Sequence, residues 1–159
     1  MRRLTRTGAI ICLLTAAAAA ARAHCQIPCG IYDDPARIKA LHEHITTVEK
    51  SMKLIHELSE ADKPDYNQLV RWVRNKEEHV EKINEIVTYY FMAQRVAPAE
   101  PGDGAARATY VKQLTLLHGI LVNAMKAKQT TDLKYVETLR ELVDSFDEAY
   151  GAHGHGHAH

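Results

Sequence analysis

The chain has 159 residues, the size of one domain, and is 25% charged and 46% hydrophobic, which excludes a disordered chain. Eight glycines and five prolines are few and favour helix. Twenty basic residues stand against twenty acidic ones, and the balance turns acidic once the leader described next is removed, which argues against nucleic acid as a partner.

The first segment differs from the rest. Arg2, Arg3 and Arg6 make a basic head, the stretch from Ala9 to Ala20 is apolar, and Ala21-Arg22-Ala23 has small residues at both positions read by a signal peptidase. This describes a secretory signal over residues 1–23, removed on export. Its apolar run is too short for a permanent membrane anchor. Cleavage after Ala23 removes four of the twenty basic residues, leaving sixteen against twenty acids, a net charge of about −4. The mature protein is therefore expected to be exported, periplasmic or extracellular, without a stable membrane anchor. Any attraction of an anionic substrate has to be local.

Residues 24–33 open the mature chain: His24-Cys25-Gln26-Ile27-Pro28-Cys29-Gly30-Ile31-Tyr32-Asp33. Cys12 leaves with the leader, so the two remaining cysteines lie four apart at the new N-terminus. A disulfide is one outcome in an oxidising compartment, and a bound soft metal is the other. Cleavage frees the α-amine of His24, which joins its imidazole as a nitrogen donor. Cys25 and Cys29 offer thiolates, and Pro28 with Gly30 favours a tight bend. Side chains alone supply three donors, short of the four of a structural zinc site. Terminal and backbone nitrogens complete a planar set of two nitrogens and two sulfurs, a field that suits nickel(II) or copper(II).

Four helical stretches follow over residues 34–150. The first is predicted from Asp34, as cap, to Ser59, with Pro35 in its first turn. Ile38, Leu41, Ile45, Val48, Met52 and Ile55 form its apolar stripe. The second runs from Asp65 to Arg95 on Leu69, Val73, Val80, Ile83, Val87, Tyr90 and Phe91, with Lys76-Glu77 interrupting. A loop by composition occupies residues 98–104. The third runs from Ala105 to Lys128 on Tyr110, Leu114, Leu117, Leu121 and Ala124. The fourth runs from Thr131-Asp132 to Tyr150 on Val136, Leu139, Leu142, Val143 and Phe146, with Gly151 as its stop. No stretch alternates with period two. The expected fold is all-α, an antiparallel four-helix bundle.

Residues 151–159 form a histidine-rich tail, with His153, His155, His157 and His159 spaced by glycine or alanine. It cannot build a core, and reads either as a solvated end or as loose metal capture. The internal histidines, His42, His44, His56, His79 and His118, read as surface or boundary residues.

The string His24, Cys25, Pro28, Cys29, Gly30, Tyr32, Asp33 resembles the hook of the nickel-containing superoxide dismutases. The four helices behind it, with Tyr89-Tyr90-Phe91 near the end of the second, are similar as well, so the resemblance spans the mature chain. It implies one nickel ion per subunit, bound by His24 through its amine and, in the oxidised state, its imidazole, by Cys25 through thiolate and amide nitrogen, and by Cys29 through thiolate. Tyr32 is implied at the mouth of the site, with Pro28, Gly30 and Asp33 supporting the loop. The implied activity is disproportionation of superoxide to dioxygen and hydrogen peroxide at a mononuclear Ni(II)/Ni(III) centre, in a homohexamer of right-handed bundles. An exported nickel or copper carrier without catalysis is the alternative, and a thiol–disulfide protein lacks the C-x-x-C spacing. Where the family pattern has an acid after an Arg-Ile pair, this chain has Lys39 after Arg37-Ile38. The arginine of its second helix aligns with Asn75 or Lys76.

Overall fold

The structure is a computed structural model and describes residues 32–151. The described residues form four helices and no strand: α1 (Asp34–Glu60), α2 (Tyr66–Glu85) continued by a π-helical segment (Ile86–Arg95), α3 (Gly104–Gln129) and α4 (Lys134–Gly151). The leader, most of the hook and the tail beyond Gly151 lie outside the described residues. No helix among those described is long and apolar enough to cross a membrane.

Each helix begins where its sequence offers a side-chain acceptor. The carboxylate of Asp65 accepts from the amide of Gln68 at 3.1 Å, and that of Asp103 from Ala106 at 2.9 Å. Each satisfies an amide with no partner inside the first turn. Gly102, at φ +95°, makes the left-handed step before α3 that side chains resist. At α1 the cap is Asp33, accepting from Ala36 at 3.0 Å, and not Asp34 as the sequence suggested. Asp34 is the first helical residue and its carboxylate is buried, engaged elsewhere as described below.

The stripes meet in one core. Leu41, Ile45, Val48 and Met52 of α1 are fully buried, as are Val80 and Ile83 of α2, Leu117, Ile120 and Ala124 of α3, and Leu139, Val143 and Phe146 of α4. The principal packing partners are α1 with α2 and α4, and α3 with α2 and α4, so every helix is flanked by two others. Between α1 and α2 the contacts step forward along one helix and back along the other. Asp34 meets Arg95, His44 meets His79, and Ser51 meets Asn75.

Two expectations change. The first half of α2 does not keep its stripe. Val73 is 39% exposed while Lys76, read as an interruption, is 4% exposed. The reason is a hydrogen-bonding demand across the bundle. Lys76 Nζ donates to the carbonyls of Lys128 at 2.6 Å and Thr130 at 3.0 Å, which the end of α3 leaves without intrahelical partners. The second change is at the end of α2, where the α-helix gives way to ten residues of π-helix. Its i→i+5 pattern is visible at the exit, where the amide of Val96 donates to the carbonyl of Phe91 at 2.9 Å.

Candidate metal centre

His24, Cys25 and Cys29, expected from the sequence to bind the metal, lie with Pro28 and Gly30 outside the described residues. Tyr32 and Asp33 lie within them. The donor set itself fits nickel. With the His24 amine freed by cleavage, two thiolates with terminal and backbone nitrogens would suit a soft, square-planar ion better than the oxygen-preferring cations.

The bundle holds the chain that follows the hook by a dense polar knot. Its centre is the buried carboxylate of Asp34. Arg95 donates to it through Nε at 2.9 Å to Oδ1 and through Nη2 at 2.7 Å to Oδ2, the two-pronged geometry that matches guanidinium to carboxylate. Tyr90 donates its hydroxyl to Oδ1 at 2.6 Å, and Tyr150 donates to Oδ2 at 2.9 Å. The Tyr90 oxygen also accepts from the amide of Asp33 at 2.9 Å. The π-helical segment and α4 thus converge on residues 33 and 34.

Tyr32 is half-buried against this knot. Its ring meets that of Tyr90 edge-on at 6.1 Å, and the guanidinium of Arg95 lies 4.4 Å from its centroid. Arg37, one turn into α1, places its guanidinium 5.1 Å from the Tyr90 ring centroid. Its buried Nε has no hydrogen-bond partner among the described residues. Arg95 can serve both Asp34 and Tyr32 because of the π-helix. In an α-helix Tyr90 and Arg95, five apart, would diverge by roughly 140° around the axis, whereas an i→i+5 ladder stacks them on one side.

The protonation states follow from this geometry. Burial alone would raise the Asp34 carboxyl. The hydrogen bonds from Arg95, Tyr90 and Tyr150, with the charge of Arg95, outweigh it and hold the group below its ordinary 3.8. Burial and the neighbouring Asp34 carboxylate push the Tyr150 phenol up to about 12 and that of Tyr90 higher still. The hydrogen bond to Asp34 raises Arg95 above its already high value, against the effect of burial. At neutral pH the knot is a carboxylate with an arginine cation and two neutral phenols, all donors aimed at the carboxylate.

The family described as nickel-containing superoxide dismutase matches residues 19–153, a span that takes in the hook motif and all four helices. The chain belongs to the nickel-containing superoxide dismutases. It is an oxidoreductase with a nickel cofactor and superoxide as its substrate, on a helical bundle. A carrier without catalysis is not favoured. No curated protein and no solved structure matches the chain.

In this dismutase the family's acid and arginine positions do other work. Lys39 is exposed and pairs with Glu43 at 3.7 Å. Asn75 donates to the hydroxyl of Ser51 at 2.9 Å, and Lys76 holds the end of α3. An acid–arginine pair does sit beside Tyr32, formed instead by Asp34 and Arg95. Sequence reading missed it. The available signal was the Asp33-Asp34-Pro35 run, since a single helix start uses only one capping carboxylate and leaves the other for a different partner.

Proposed function

We propose that cleavage after Ala23 exports the protein and frees the His24 amine, and that His24, Cys25 and Cys29 then hold one nickel ion within residues 24–33. Bound there, nickel supplies the one-electron redox chemistry that neither neutral phenols nor carboxylates can. His24 contributes amine and imidazole, and Cys25 and Cys29 give up their thiol protons to ligate. Pro28 and Gly30, residue types that favour a tight bend, would let both thiolates reach one ion. Tyr32, three residues beyond Cys29, limits access to small anions and orders water. Asp33 fixes the start of α1 behind it.

The observation that carries this reading is the anchoring of Tyr32. A gating ring has to keep one position through many turnovers, and here it is stacked on Arg95, which is itself locked to Asp34. The cation of Arg95 on this ring and that of Arg37 on the adjoining Tyr90 ring supply local positive potential that the acidic chain as a whole lacks, and superoxide is an anion. Arg95 is offset by Asp34, whereas no ion pair offsets Arg37 among the described residues, so Arg37 carries most of the attraction. We further propose the homohexamer of right-handed, antiparallel bundles that the family resemblance implies.

The test is N-terminal mass spectrometry of the native protein with metal analysis and a dismutase assay. A chain beginning at His24 with about one nickel per subunit, and loss of activity in Cys25→Ser, bear the reading out. A chain that retains residues before His24, or that carries a Cys25–Cys29 disulfide in its active form, overturns it.

A further inference from the structure

The bundle contains a second place where metal-ligating side chains meet, on the facing sides of α1 and α2. His44 and His79 approach with their Nδ1 atoms 3.1 Å apart. Their ring centroids are 5.0 Å apart with the planes at 73°, so the rings diverge from the edge at which the nitrogens meet. Both residues are half-buried. The other internal histidines are placed differently. His42, half-buried, pairs with Asp144 at 3.3 Å, and the exposed His56 with Glu60 at 3.5 Å.

We propose that His44 and His79 form a metal site separate from the nickel hook, in which their two Nδ1 atoms bind one divalent late-transition ion of the zinc, nickel or copper kind and clasp α1 to α2. Two nitrogens each about 2.0–2.1 Å from one ion lie roughly 2.9 Å apart at a square-planar angle and about 3.3 Å apart at a tetrahedral one. The observed 3.1 Å falls between these, so the ion enters without backbone movement. Two imidazoles bound to one ion also splay away from it, as these rings do. No third histidine, cysteine, aspartate or glutamate completes the set among the described residues, so solvent fills the remaining positions and binding is weaker than at a four-ligand site.

The protons balance. Without metal, one Nδ1–H donates to the other Nδ1, and the accepting ring carries its proton on Nε2. On binding, the shared proton is lost to water while Nε2 of the same ring gains one, leaving two neutral ligands and no net release. Burial favours this neutral state. It lowers both imidazoles below their ordinary 6.5, helped by the Lys82 ammonium and, for His44, by the nearness of His79. Glu43 beside His44 and Glu78 beside His79 act in the opposite direction. Lys82 is held by Glu78 at 2.8 Å, and its charge opposes a second cation, so Lys82→Gln should tighten binding.

The experiment uses the full chain carrying Cys25→Ser and Cys29→Ser, which removes the hook thiolates. Thermal midpoints are measured with and without Zn²⁺, alongside ¹⁵N resonances of the histidine rings. A clasp that binds only the folded bundle raises the midpoint by on the order of 10 °C at zinc about 100-fold above its dissociation constant. The rise is lost in His44→Gln and in His79→Gln and kept in His42→Gln, and zinc moves the Nδ1 resonances of His44 and His79. Any zinc that the histidine tail takes up is common to every one of these proteins and so cannot produce the difference. If the parent shows no rise, if the rise survives in His79→Gln, or if zinc leaves the two Nδ1 resonances in place, the pair is a hydrogen bond between helices and the proposal is wrong. The resonances decide the matter even where a variant fails to fold.

Discussion

At the residue scale, Asp34 fixes the start of α1 against Arg95, Tyr90 and Tyr150. A buried carboxylate is tolerated only when its lone pairs are filled, and three side chains fill these. Asp34→Ala leaves the Arg95 guanidinium without its counter-ion and two phenols without their acceptor. It should cost about 3–5 kcal/mol in denaturant unfolding. The pH dependence has a definite sign. Because the folded carboxyl lies below its unfolded value of 3.8, its contribution is fully present above that value and is lost as pH falls below it through the folded pKa. The stability gap between the protein and Asp34→Asn should therefore narrow only under strongly acid conditions; a gap that closes between pH 5 and 7 would contradict this account. Tyr90→Phe removes the hydroxyl that joins Asp33 to Asp34, at about 1–3 kcal/mol by the same measurement. Arg37→Gln leaves the ion-paired knot alone and should lower kcat/KM for superoxide while flattening its dependence on salt.

At the scale of the element, the π-helix is the unexpected feature. The apolar spacing of Val87, Tyr90 and Phe91 suits burial on either kind of helix, so periodicity carries no trace of the change. What selects the wider turn is the demand that Tyr90 and Arg95 both reach Asp34. Deleting Met92, which is 37% exposed, should return the segment toward α-helical winding and turn Arg95 away. Its cost should then overlap with that of Asp34→Ala: the double variant should be less destabilised than the sum of the two singles. Lys76 makes a similar point on α2. A charged residue in a stripe reads as a solvated interruption, yet here it serves the unpaired carbonyls that end α3. Lys76→Met keeps the buried stem and strips those carbonyls of a donor, at about 1–3 kcal/mol in thermal or denaturant unfolding.

At the scale of the whole molecule, the proposed nickel site and the folded core use different parts of the chain. The core is apolar, with Phe91 and Phe146 in edge contact at 4.9 Å, and no group of three or more metal-ligating residues supports it among the described residues. Stripping nickel with a chelator should abolish dismutase activity while the helical far-ultraviolet signal stays. Loss of that signal would mean that the hook metal holds the bundle together. The sequence by itself determined the reaction and the class of fold. A family motif is local in the chain, and four apolar stripes at helical spacing leave few arrangements other than a bundle. Only the tertiary structure decided what surrounds Tyr32 and where His44 meets His79. Asp34 and Arg95 are 61 residues apart and His44 and His79 are 35 apart, and partners across helices are chosen by packing register, which no local pattern encodes.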